Sequence, residues 1–334
     1  MRRWMAICLG LTCALFFGWL AFRNVDWAAA WAAWAGANWG VLALAPLLML
    51  ASVVLRAWRW RLILRDHPAA RFGALILAAG IGLGANAVLP GKLGEAVAAH
   101  ALGRLADVSR IQSLGIVVIT RLFDLFVLFA LALCASFVLP GAARSVQGFS
   151  ILVVSLAGVA LITPVVLLRT RWGRALLGRL REMAARILGP GPVDYAEKFA
   201  RGLASAGHLG QLAAFAVSTA LLWFVLSLSL LVALRAFGSD MPPQLAPLVM
   251  GLIAVSAILP SAPGNAGTFH YFGLLALGLV GVPPGLAAAC VITYHALDML
   301  CALTLGAVCG ALARTSLLAW RSPAPGVVTT AEES

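Results

Sequence analysis

Two long apolar stretches of this chain are each broken by the same short element, Pro-Gly-x-x-Gly, and nothing else in the sequence limits the fold as much. The first stretch covers residues 72–103 and contains GLGANAVLPGKLGE at residues 82–95. The second covers residues 245–280 and contains LPSAPGNAGTF at residues 259–269. Proline removes a backbone donor and glycine frees the dihedrals, so a helix must break near Pro90 and again near Pro263. Inside a bilayer, freed backbone groups and a carboxylate such as Glu95 survive only when buried in protein or lining a wet cavity.

The rest of the chain supplies the bilayer. Of its 334 residues 62% are hydrophobic and 11% charged, with a mean hydropathy of +0.99, which belongs to a polytopic membrane protein rather than a soluble domain. Apolar runs of about the length that crosses a hydrocarbon core lie at residues 4–22, 40–60, 113–139, 151–168, 212–234 and 286–312. Arg2 and Arg3 precede the first run as in a signal peptide, but no small-residue cleavage site closes it, so a retained span is expected. Trp27, Trp31 and Trp34 fall on one face of a short helix, expected to lie along the membrane interface.

The net charge of +12 does not point to nucleic acid, because the arginines sit beside apolar runs. Arg56, Arg59, Arg61, Arg65 and Arg71 end the second run and read as a cytoplasmic cluster. Residues 169–208 read as a cytoplasmic basic connector, with Arg171, Arg174, Arg181 and Arg186 on an amphipathic helix. Arg71 and Arg104 then place both ends of the first broken stretch on one side, making it a re-entrant hairpin. Arg235 and Asp240 place the second broken stretch on the other side. In this arrangement all 24 lysines and arginines except Arg23, Arg144, Arg235, Lys92 and Arg121 are cytoplasmic. Full crossings would instead put the Arg-rich connector outside.

The two halves also match in order and spacing. Pro90-Gly91-Lys92-Leu93-Gly94 corresponds to Pro263-Gly264-Asn265-Ala266-Gly267. From Pro90, 31 residues lead to Arg121, with Asp124 three further on; from Pro263, 32 lead to His295, with Asp298 three further on. Matched elements on hairpins that open to opposite faces are the pattern of an inverted-topology repeat. The expected fold class is therefore an all-α polytopic membrane protein with about six full spans and two oppositely oriented re-entrant helical hairpins. It forms one integral domain over residues 1–321, with a first repeat at 40–168, a second at 209–312 and a disordered cytoplasmic tail at 322–334.

The candidate substrate-binding residues are those of the two tips and their partner helices: Asn86, Pro90, Gly91, Lys92, Gly94, Glu95, Arg121, Asp124, Pro263, Gly264, Asn265, Gly267, His295 and Asp298. Helix N-termini after Gly91 and Gly264 would offer unpaired N–H groups to a phosphate or carboxylate, with Lys92 and Arg121 as cationic partners. Glu95, Asp124 and Asp298 are acids whose insertion costs about 2.5–3.5 kcal/mol each if unpaired at a helix centre. Arg121 and Asp124 can pair along one helix, and His295 with Asp298 repeats that spacing. The six cysteines lie in apolar runs without metal or redox spacing, so neither metal nor cofactor is expected. Hydrolase, metalloprotease and magnesium motifs are missing, so the chain is not expected to be an enzyme.

With those residues in view, the chain resembles the lysylphosphatidylglycerol synthase transmembrane-region family of flippase-like membrane proteins. The carriers are Arg56 with Arg59-Trp60, then Asn86-x-x-Leu89-Pro90-Gly91-x-x-Gly94-Glu95, Arg121-x-x-Asp124 and the late Pro263–Gly267 element. The resemblance implies a lipid-handling module that moves an aminoacylated phospholipid between leaflets in its best-known members, where a separate soluble domain performs aminoacyl transfer; no such domain is expected here. Two positions depart from the family pattern. Ala98 stands where an arginine often follows the glutamate, and Thr268, Phe269 and His270 stand where an acid often follows the second tip.

The function expected is a lipid transporter of a bacterial cytoplasmic membrane, with both termini cytoplasmic. Its ligands would be membrane lipids, either anionic phospholipids or polyprenyl lipids. The alternatives are a permease for a small water-soluble solute and a non-transporting partner of a membrane enzyme.

Overall fold

A computed structural model describes residues 2–65, 67–90, 93–137, 209–257 and 261–321, with isolated positions between 148 and 179. Most of the expected span at 151–168, most of the basic connector, the tail at 322–334 and the tip residues Gly91 and Lys92 lie outside the described residues. Among the described residues the regular structure is entirely helical. The helices are α1 (Arg2–Phe22), α2 (Trp27–Ala35), α3 (Trp39–Leu42), α4 (Leu44–Ile63), α5 (Phe72–Val88), α6 (Leu93–Leu105), α7 (Arg110–Ser136), α8 (Leu209–Ala236), α9 (Ala246–Val255), α10 (Thr268–Leu279) and α11 (Pro284–Arg321).

Among the described residues, four segments are long and apolar enough to cross a membrane: Trp39–Ile63, Gln112–Leu131, Ala213–Ala236 and Pro284–Arg314. Gly10–Phe22, Phe72–Val88 and Pro243–Val255 are shorter apolar helices. The outward faces are apolar. Leu44, Leu47, Val54 and Trp58 on α4, and Val217, Leu221, Phe224 and Leu228 on α8, form exposed stripes at helical spacing. Polar groups face inward instead: Ser52 and Arg59 on α4 and Thr219, Ser227 and Ser229 on α8 are buried. Apolar outside and polar inside is the distribution that lipid as solvent selects.

Both broken stretches break as their prolines and glycines require. Leu89 is extended ahead of Pro90, as a pre-proline residue prefers, and α6 begins at Leu93. A methyl placed on Gly82 would lie 2.4 Å from Ala98 Cβ, and one on Gly94 would lie 2.3 Å from Asn86 Oδ1. Residues 82 and 98, like 86 and 94, are symmetric about Pro90, so α5 and α6 form an antiparallel hairpin with their backbones nearly touching. The second stretch needs more backbone strain. Between α9 and α10 runs a 3-10 turn, Pro263–Asn265, in which Gly264 (φ 66°) and Asn265 (φ 59°) are left-handed, followed by Gly267 (φ 81°). Glycine and asparagine tolerate that region best.

Small residues set the long-range packing. Gly84 meets Gly306 of α11, where a methyl on Gly84 would lie 2.6 Å from the Gly306 Cα, and Gly80 meets Cys309 one turn on. Gly267 sits against the backbone of Ala14, which seats α1 on the second tip. Helix α2 does not present all three of its tryptophans alike. Trp27 and Trp31 are exposed, whereas Trp34 Nε1 donates to Thr293 Oγ1 (2.9 Å) on α11.

Gly84→Val should therefore push α5 off α11 and lower the melting temperature of the detergent-purified protein, an overpacking cost of about 1–3 kcal/mol. Gly278→Ala, in α10 with open space around it, should leave that temperature unchanged or slightly raised. Equal melting curves for Gly84→Val and the wild type would contradict the packing described.

Candidate functional site

The centre of the protein holds an alternating ladder of charges. Arg59 on α4 is buried to 1% exposure and pairs through Nη1 with Asp124 Oδ1 on α7. Trp223 Nε1 of α8 donates to the same carboxylate oxygen (3.2 Å), and Arg59 Nη1 also donates to Thr219 Oγ1 (3.3 Å). The other oxygen of Asp124 accepts from Arg121 Nη1 (3.1 Å), the i,i+3 pair read from sequence. Arg121 Nη2 continues to Glu95 Oε1, and Asn86 Nδ2 donates to that oxygen as well (3.0 Å). The result is Arg59, Asp124, Arg121 and Glu95 in sequence of sign, ending on the first hairpin.

Local structure explains how α5 and α6 contribute. Asn86 and Glu95 face each other only because Gly94 has no side chain in the space that Asn86 occupies. Glu95 lies in the first turn of α6, where the helix dipole favours a negative charge. The Asn-x-x-Leu-Pro-Gly-x-x-Gly-Glu spacing is thus the spacing of one hairpin turn that closes on its own hydrogen bond.

The second tip uses the same motif differently. His295 on α11 is 7% exposed, and its Nε2 lies 2.8 Å from the carbonyl of Gly264. A carbonyl only accepts, so Nε2 carries a proton. The ring stacks on Phe269 (centroids 4.5 Å apart) and meets His270 edge-on at 4.7 Å. Ser261 Oγ donates to Asn265 Oδ1 (3.0 Å). The left-handed pair at Gly264 and Asn265 delays α10 until Thr268. The helix N-terminus expected after Gly264 thus lies four residues on, at Thr268, and the carbonyl of Gly264 itself faces His295.

Between the tips lies a cavity of about 430 Å³. Asn86 and Glu95 line it from the first hairpin, Gly264 and Asn265 from the second, Arg121 and Asp124 from α7 and Asp298 from α11. The tips are close: a methyl on Gly264 would stand 3.5 Å from the Ala87 carbonyl oxygen. Leu125, Leu128, Leu226, Met250, Ile253 and Leu305 complete the wall with hydrocarbon. Seven of the expected residues therefore share one cavity. His295 braces it from behind. Pro90 and Gly94 shape the first turn, Pro263 is exposed, and Gly267 packs on α1. Gly91 and Lys92 lie outside the described residues.

Sequence reasoning missed Arg56, Arg59, Thr219 and Trp223. Their position at the end of an apolar run places Arg56 and Arg59 in the cytoplasmic cluster, yet Arg59 is buried against Asp124 and Arg56 lines the cavity. A signal was present. Ser52, Arg56 and Arg59 follow one another at i, i+4 and i+7, a polar face in an apolar helix, opposite the exposed Val54 and Trp58.

Removing one partner of a buried ion pair strands the other and costs about 3–5 kcal/mol. Arg59→Met and Asp124→Asn should each lower the melting temperature in detergent strongly. The double variant should lie closer to Arg59→Met alone than to the sum of the two losses. Strict additivity would show that the pair carries no coupling.

A search of the curated proteins and of the solved structures finds no match for this chain. The model of one family, described as lysylphosphatidylglycerol synthase TM region, matches residues 7–306. That range contains both hairpins, the charge ladder and the cavity between them. The chain is thus a multi-pass membrane protein that belongs to the lysylphosphatidylglycerol synthase TM-region family.

Proposed function

We propose that this protein moves or presents a membrane lipid through the cavity between its two hairpin tips, as a flippase-like transporter rather than an enzyme. The observation that carries this reading is the cavity's mixed lining, with charged and amide groups from the tips, α4, α7 and α11 beside a broad hydrocarbon wall. A lipid head group matches the first surface and its chains the second. A water-soluble solute would leave the apolar wall without a partner.

In this reading the hairpins are re-entrant. At about 1.5 Å per residue, α9 and α10 reach only about half of a hydrocarbon core of about 30 Å, and α5 and α6 also fall short. They enter from opposite faces as an inverted repeat, so the tips meet at mid-depth. Arg121, freed from Glu95 or Asp124, would face the head group, and Glu95, Asp124 and Asp298 would change partners as access alternates. The setting is the cytoplasmic membrane of a bacterium with both termini cytoplasmic, and the cargo is an anionic phospholipid or a polyprenyl lipid.

Reconstitution with a leaflet-specific lipid probe tests this. Wild-type protein should accelerate redistribution over empty liposomes, while Glu95→Gln and Arg121→Ala should slow it by about tenfold or more, the loss of one charge-assisted contact. Equal rates in all three preparations would remove the ladder from the mechanism. Mass spectrometry of co-purified lipid should identify the cargo class, and purification free of bound lipid would favour the solute alternative.

A further inference from the structure

Beside the large cavity is a second, much smaller pocket of about 40 Å³, set among α4, α5, α6 and α7. Its lining is unusual for a space in an apolar protein: the guanidinium-bearing side chains of Arg56, Arg59 and Arg121 line it with a single carboxylate, Glu95. We propose that this pocket holds one small monovalent anion of halide size, with Arg56 as the residue that binds it.

The charge count supports an anion. Arg59 pairs with Asp124, and Arg121 pairs with both Asp124 and Glu95. Three cations therefore share two carboxylates, and Arg56 is left with no ion pair or hydrogen bond among the described residues. Asp298, the third acid of the neighbourhood, lines the large cavity and not the small pocket. Arginine does not relieve this imbalance by losing its proton; Arg56 is half-buried with its Nε shielded from solvent, and a partly desolvated cation without a paired anion is disfavoured. A water molecule can satisfy donors but cannot balance the charge; a monovalent anion does both.

Size selects the class of anion. On the same measure the pocket has about a tenth of the room of the large cavity, about 40 Å³ against about 430 Å³, space for a few water-sized ligands, which suits a small ion better than a lipid head group. A lipid phosphate in the large cavity could still approach Arg56, because Arg56, Asn86, Glu95 and Arg121 line both spaces. A free halide and a lipid phosphate are thus two sources of the same anionic contact. The volume favours the halide. Such an ion would fix the arginine side of the ladder independently of what the protein transports.

Equilibrium binding of radiolabelled chloride to the full-length protein in detergent, with gluconate holding the ionic strength constant, tests the proposal. Saturable binding of about one chloride per chain is expected, with bromide competing. Arg56→Gln should weaken it by about tenfold or more, Arg56→Lys by less, and Arg65→Gln, outside the pocket, should match the wild type. The wild-type isotherm decides the matter even if Arg56→Gln fails to fold. Absence of saturable chloride binding overturns the proposal, as does binding that survives Arg56→Gln unchanged. Stabilisation by phosphatidylglycerol vesicles or inorganic phosphate but not by chloride, dependent on Arg56, also overturns it and reassigns Arg56 to the head group.

Discussion

The buried pair between Arg59 and Asp124 is the interaction on which the rest of this structure depends. It joins α4 to α7 through two almost fully buried side chains, and the indole of Trp223 adds α8 to the same carboxylate. A lone charge at that position would be untenable, so the three helices are obliged to meet there. Hydrophobic burial cannot impose such a constraint in a bilayer, because lipid tails are as apolar as leucine. Polar pairing and small-residue contacts take over, and both are present here.

From that anchor the ladder transmits a fixed geometry to the first hairpin. Asp124 holds Arg121, Arg121 holds Glu95, and Glu95 holds Asn86 across the turn. The second hairpin is held by different means: a histidine on its carbonyl, aromatic stacking, and α1 packed against Gly267. One tip is therefore positioned through exchangeable ion pairs and the other through a histidine–carbonyl hydrogen bond and close packing. The halves share sequence spacing but not the physics of their attachment.

Much of the architecture was legible in the chain. The two breaks occur where Pro90 and Pro263 require them, and the Arg121–Asp124 pair follows from an i,i+3 spacing. Gly94 and Glu95 could be recognised as one unit. The inward face of α4 was not recognised, because arginines near the end of an apolar run look like a topology signal. Whether they turn outward to head groups or inward to an acid depends on a partner 65 residues away. The same applies to His295, whose Nε2 reaches the Gly264 carbonyl 31 residues back, a contact that no local spacing announces.

The sequence alone determined the solvent and the local geometry. Apolar run length dictates a membrane, helical periodicity dictates helices, and glycine and proline dictate where those helices stop. These are properties of consecutive residues. Only the tertiary structure decided which charges neutralise one another, how close the two tips come, and that Arg56 is left over. Charge pairing acts through space across helices whose separation along the chain carries no periodic trace, so it becomes visible only once the helices are packed.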